Sequence, residues 1–164
     1  MSGTVVSILV ADGAGAAMRS LPEARLVAGR GIVGDRYHDG TGEFSPEVPD
    51  PDHELTLVES EQLERFRAET GLALDASDLR RNVVTRGVSL DALVGREFSV
   101  GPVAIRGIRL CEPCRYLAGR THSEVVPRFV HRAGLRAAIL RGGIVRPGDP
   151  IQIGPGSSAA PGAK

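Results

Sequence analysis

Lysine is nearly absent from this sequence, occurring once, at the final residue Lys164. An aldimine to pyridoxal phosphate needs a buried, positioned lysine, so no pyridoxal phosphate chemistry is expected. Tryptophan is missing altogether, and aromatic content is limited to four Phe and two Tyr. The core must then be built mostly from Val, Leu, Ile and Ala. A nucleic-acid surface is not expected either, because little aromatic interleaving accompanies the basic residues. No apolar run reaches the ~20 residues that a membrane helix needs. The apolar stretch Val5–Val10 has no basic residue before it, unlike a signal peptide. Cysteine is scarce, with Cys111 and Cys114 alone, and a disulfide between them would close too small a loop to stabilise much. A cytoplasmic protein with reduced thiols and no membrane partner is the expectation.

Glycine and proline are abundant, at 21 and 11 of 164 residues. They punctuate the chain into short strands. Strands are expected at Val5–Val10, Leu55–Val58, Val83–Thr85, Glu97–Val100, Val103–Leu110, Leu135–Leu140 and Gln152–Ile153. In the Val103–Leu110 strand the inward set is Val103 and Ile105, then Ile108 and Leu110, so the alternation slips at Gly107 and predicts a bulge there. The clearest helix runs from about Glu59 to Thr70, with Ser60 as N-cap and Gly71 just past its end. A helical turn is expected at Asp75–Leu79 and a short helix at Pro127–Arg132. Residues 39–53 read as a Pro/Gly/acid-rich loop, and residues 154–164 as a disordered tail. Many short strands with few helices predict a mainly β fold, a closed barrel forming one domain over residues 1–153.

Charge is balanced overall but unevenly spread. Nine acidic residues and no Lys or Arg lie between Asp39 and Glu64, whereas nine Arg face two acids between Ala104 and Arg146. The arginines are either a solvated face or an anion site near the cysteines, since guanidinium forks match phosphate and carboxylate.

Both thiols lie in Arg109-Leu110-Cys111-Glu112-Pro113-Cys114-Arg115, at the exit of a strand and between arginines. Nearby cations lower a thiol pKa and favour the thiolate, which is the nucleophile and the soft metal ligand. Cys114 is a candidate nucleophile or soft-metal ligand; Cys111 is either a resolving thiol or a packing residue. The Cys-x-x-Cys spacing also matches dithiol oxidoreductases, but those want a βαβ context. Zinc could draw on Cys111, Cys114, His122 and His131, at spacings unlike those of short zinc fingers. His38 and His131 are candidate proton donors.

Gly-Ile-Val-Gly-Asp-Arg-Tyr, Leu-Thr-Leu before a helix, Leu-Arg-Arg-Asn-Val-Val, Leu-Val-Gly-Arg-Glu-Phe-Ser-Val-Gly and Cys-Glu-Pro-Cys occur in this order. So arranged, the sequence resembles the MOSC domain, the C-terminal domain of molybdenum cofactor sulfurases that is also found as small stand-alone bacterial proteins. The resemblance implies a barrel-like fold and a cysteine that carries sulfur or ligates the molybdenum of a pterin cofactor, matched here by Cys114. It also implies functional positions at Gly34, Asp35 and Arg36 and at Arg81 and Asn82. Arg36 and Arg81 would hold the cofactor's phosphate, with amide hydrogen bonds from Asn82. Related molybdenum reductases carry a proline between the matching arginine and asparagine. The implied function is molybdenum-pterin binding or sulfur carriage, with reduction of N-hydroxylated compounds as the enzymatic form. The implied partner is an electron-donor protein or a cysteine desulfurase. A metal-free persulfide relay is the alternative.

Overall fold

The computed structural model describes residues 2–40, 53–113 and 115–153, without the side chains of Arg115 and Tyr116. Cys114, most of the acidic loop and the 154–164 tail lie outside the described residues.

Eleven strands form in chain order among the described residues. They are β1 (Ser2–Ala11), β2 (Met18–Ser20), β3 (Ala24–Val27), β4 (Gly31–Ile32), β5 (Leu55–Glu59), β6 (Val83–Arg86), β7 (Glu97–Val100), β8 (Val103–Leu110), β9 (Leu135–Arg141), β10 (Gly143–Val145) and β11 (Pro150–Gln152). The helices are short: α1 (Arg36–Asp39), α2 (Ser60–Thr70), α3 (Ala76–Leu79), α4 (Arg115–Arg120) and α5 (Val125–Arg128). The main sheet runs β11-β7-β8-β9-β5-β6-β1-β2, and β11 also pairs with β1. That pairing closes seven strands into a barrel and removes the open edges a sheet would otherwise expose. A small sheet, β10-β3-β4, stands beside it. Within the barrel only β5 and β6 run parallel, in the register Leu57↔Val83, because α2 and α3 supply the crossover that parallel strands need.

Two apolar cores follow from strand alternation. Leu57 and Val83 point into the barrel with Val5, Val103, Ile105 and Leu135. Their neighbours Val58 and Val84 point outward and are covered by Leu63, Phe66, Leu79 and Phe129. Strands buried on both faces read as continuous apolar runs, as Leu55–Val58 and Val83–Val84 do. Phe66 and Phe129 meet with ring centroids 5.4 Å apart and tie α2 to the chain just past α5.

The bulge expected in β8 is present. The β8–β9 register shifts between Gly107 and Arg109, and a Cβ at Gly107 would lie 2.1 Å from the Leu93 carbonyl oxygen. The helix expected over residues 59–70 also forms, but Glu59 takes the N-cap position and Ser60 is its first residue. The Glu59 carboxylate makes no cap bond and instead accepts from the Leu90 backbone amide (2.9 Å) and the Gln62 side-chain Nε2 (3.1 Å). The helix expected at Pro127–Arg132 lies earlier, at Val125–Arg128. Proline thus sits in its first turn, and the left-handed backbone of His131 (φ 61°) stops any continuation. The helix α1 and strands β2 and β10 were not evident in the sequence because each is only three or four residues long. No helix among the described residues is long and apolar enough to cross a membrane.

Candidate functional site

The segment entering β6 organises one end of the barrel. Asn82 is fully buried there. Its side-chain oxygen accepts hydrogen bonds from the Thr56 amide (3.1 Å) and hydroxyl (3.1 Å), and its side-chain nitrogen donates to the Leu9 carbonyl (3.0 Å). One amide thus pins β1, β5 and the start of β6 together, and both ends of the Asn82 side chain are committed to the fold.

Asp35 is also fully buried, following Gly34 (φ 89°). Its carboxylate accepts from the Ala11 amide (3.0 Å), from the Tyr37 amide (3.2 Å) as N-cap of α1, and from Arg36 Nη1 (3.0 Å). Arg36 in turn donates from Nη2 to the Arg80 carbonyl (3.0 Å), from Nη1 to the Met18 sulfur (3.8 Å), and stacks 4.5 Å from the Tyr37 ring. A buried pair of this kind adds little net stability, but removing either member leaves the other charge uncompensated. The Asp35–Arg36 pair therefore fixes the chain at Arg80.

Arg80 and Arg81 are buried at 7% and 9% exposure. Arg80 caps α3 in the left-handed conformation (φ 60°), and its Nη1 donates to the Ala16 carbonyl (2.6 Å). Arg81 Nε donates to the Ala133 carbonyl (2.7 Å), and its two Nη groups make no hydrogen bond among the described residues. A guanidinium so placed is a preformed partner for an anion.

The turn Arg81 grips connects it to the cysteine segment. The Gly134 carbonyl accepts from the Cys111 amide (2.8 Å). Glu112 accepts from the His131 amide (2.7 Å) and contacts its ring Nδ1 (2.6 Å). Gly134 sits at φ 121°, and a Cβ there would lie 2.2 Å from the Leu57 oxygen. Only glycine lets the turn approach β5 this closely.

The structure therefore gathers Asp35, Arg36, Arg81, Asn82 and Cys111 at one barrel end, linked through Arg80 and the Ala133–Gly134 turn. Cys111 is 2% exposed and packs with Leu9, Val58 and Phe129. Cys114, three residues on, lies outside the described residues. The two candidate proton donors stand apart: His38 contacts Asp39 (2.9 Å), and His131 contacts Glu112. His122 contacts the Ala73 carbonyl (2.8 Å) and stacks on Phe66. Among the described residues no group of three His, Cys, Asp or Glu side chains gathers to hold a metal ion. Sequence reasoning missed Arg80 and the Glu112–His131 contact. A residue pair 19 apart in sequence leaves no periodic signal, and a left-handed arginine leaves none at all.

The family model for the MOSC domain matches residues 35–152. Among solved structures, the YuaD protein from Bacillus subtilis superposes with a TM-score of 0.78 at 18% identity, covering 92% of this chain and 94% of that one. YiiM from Geobacillus stearothermophilus gives 0.71 at 16% identity, covering 93% and 75%. YiiM from Escherichia coli gives 0.63 at 18%, covering 94% and 70%. At these identities the structural matches establish the fold alone. No curated protein matches the sequence.

Proposed function

We propose, because this chain belongs to the MOSC domain family, that its Arg81 end of the barrel binds a molybdenum-pterin cofactor, with Cys114 as thiolate ligand or sulfur carrier. The observation that carries this reading is Arg81. It is a buried guanidinium, anchored by one nitrogen and with two terminal nitrogens that make no hydrogen bond among the described residues, next to the turn that holds the cysteine segment. That donor set suits an anionic group with a soft metal: a cation for the anion, a thiol for the metal. When bound, such a group supplies two-electron chemistry and a transferable sulfur.

Arg81 would pair with the anionic end, bidentate through its Nη atoms. Arg36 acts through its hold on Arg80, and Asn82 through its grip on three strands; both position the site and leave the contact to Arg81. Cys111 is a packing residue in this reading, since a buried thiol in apolar surroundings is inert. The enzymatic form is a reductase of N-hydroxylated compounds that takes electrons from a separate donor protein.

The test is molybdenum content by mass spectrometry on protein purified from a host that makes the cofactor. The expected result is molybdenum near one per chain, lost in Cys114→Ala and kept in Cys111→Ala. Protein without molybdenum but with cyanide-releasable sulfur on Cys114 would replace this reading with a persulfide relay fed by a cysteine desulfurase.

A further inference from the structure

Apart from Met1, the chain has one methionine, Met18, and its sulfur touches the arginine that fixes the barrel end. We propose that Met18 is an oxidation site: a peroxide converts its thioether to the sulfoxide, Arg36 is loosened from the Arg80 carbonyl, and the barrel end holds its ligand more weakly. The consequence for binding rests on the reading of Arg81 as ligand contact; the oxidation itself does not.

The fold fixes the sulfur in place. Strand β2 pairs with β1 so that Met18 lies opposite Ala11, whose amide donates to the Asp35 carboxylate. Asp35 and Met18 share one guanidinium nitrogen: Arg36 Nη1 stands 3.0 Å from Asp35 Oδ1 and 3.8 Å from the Met18 sulfur. The Nη2 of the same fork donates to the Arg80 carbonyl, one residue before Arg81. Because the guanidinium is planar and rigid, whatever shifts Nη1 shifts Nη2 with it.

The sulfur is also within reach of an oxidant. Met18 is only partly buried against the outer core, and it lines an open pocket of about 200 Å³ at this barrel end. A water takes up about 30 Å³ of liquid, and hydrogen peroxide is one oxygen larger, so it enters with room to spare. Arg36 occupies one side of the sulfur, which leaves a lone pair for attack from the pocket side.

That lone pair attacks the nearer peroxide oxygen. A sulfur–oxygen bond forms, the oxygen–oxygen bond breaks, and the departing hydroxide takes the proton from the transferred oxygen and leaves as water. The sulfur is oxidised by two electrons and the peroxide is reduced. A thioether is a weak acceptor, and in the sulfoxide the sulfur carries partial positive charge, so it repels the guanidinium it formerly held. Arg36 moves toward the opposite charge of Asp35 and draws Nη2 from the Arg80 carbonyl. Attack from one side also yields a single sulfoxide epimer, and each epimer has its own reductase.

The experiment exposes isotope-labelled protein, wild type and Met18→Leu, to hydrogen peroxide and then to a thiol reductant, which restores reversibly oxidised cysteine but leaves sulfoxide in place. Mass spectrometry should show one oxygen added at Met18 while circular dichroism shows the protein folded. Only one of the two epimer-specific sulfoxide reductases should remove it. Peroxide should shift the amide NMR signals of residues 35–37 and 80–82 in the wild type and leave them in place in Met18→Leu. Protein from a cofactor-making host should lose molybdenum roughly threefold to tenfold faster after oxidation, the scale of one weakened charged hydrogen bond, and the rate in Met18→Leu should not respond to peroxide. The proposal is overturned if Met18 stays unoxidised until the protein unfolds, if both epimers form equally, or if Met18→Leu responds to peroxide as the wild type does. Unchanged molybdenum retention with Met18 fully oxidised overturns it too. Protein that never holds molybdenum but shows the selective oxidation and the shifts at residues 80–82 would refute the cofactor reading and leave the oxidation site standing.

Discussion

Replacing Asn82 by alanine separates a structural from a ligand-binding role. The substitution strips the Thr56 amide and hydroxyl of their acceptor and the Leu9 carbonyl of its donor, all at a fully buried position. The hydrogen bond from the Leu9 amide to the Asn82 carbonyl (2.6 Å) survives because it is backbone to backbone. Each buried polar group left unpaired costs about 1–3 kcal/mol. The Thr56 hydroxyl can rotate, so the amide and carbonyl dominate, and the total is about 3–5 kcal/mol. Domains are stable by only about 5–15 kcal/mol. With a urea slope of about 2 kcal/mol per M, the midpoint should fall by about 2 M. The assay is urea unfolding followed by far-ultraviolet circular dichroism, for Asn82→Ala, Thr56→Val and the double variant. Because the residues share hydrogen bonds, the double variant should cost less than the sum by about 1 kcal/mol. A loss below about 1 kcal/mol for Asn82→Ala, or strict additivity, would refute the reasoning and return Asn82 to the role of a ligand contact.

Gly134→Ala should destabilise by several kcal/mol, read as a fall in thermal midpoint, because both its φ of 121° and the 2.2 Å approach to the Leu57 oxygen oppose a Cβ. Cys111 should resist maleimide in the native protein and react once urea unfolds it, since it is 2% exposed; Cys111→Ser should cost about 1–3 kcal/mol for a hydroxyl buried among apolar side chains. Glu112→Gln should change global stability by less than about 1 kcal/mol, because its contact with His131 is solvent-exposed. Faster hydrogen exchange is expected at the His131 amide in that variant, where the carboxylate now accepts.

Much of the barrel was legible because it rests on local rules. Alternation marks β8 up to Gly107, the slip there marks the bulge, and Gly71 marks the end of α2. What closes the barrel, the pairing of Ser2–Thr4 with Pro150–Gln152, joins residues far apart in sequence, and no local pattern encodes it. The site divides the same way. Asp35, Arg36, Arg81 and Asn82 could be named from their motifs. Their division of labour could not, because whether an arginine commits its terminal nitrogens, as Arg36 does, or grips a carbonyl through Nε alone among the described residues, as Arg81 does, is decided by partners 44 and 52 positions away.

Molybdenum and pterin content should be compared between the wild type and Arg81→Gln, both purified from a cofactor-making host and both verified as folded by circular dichroism. The account predicts molybdenum and pterin in equal amounts near one per wild-type chain, and a fall of at least roughly tenfold in Arg81→Gln, the loss of one charged contact. Full occupancy in a folded Arg81→Gln protein would contradict it.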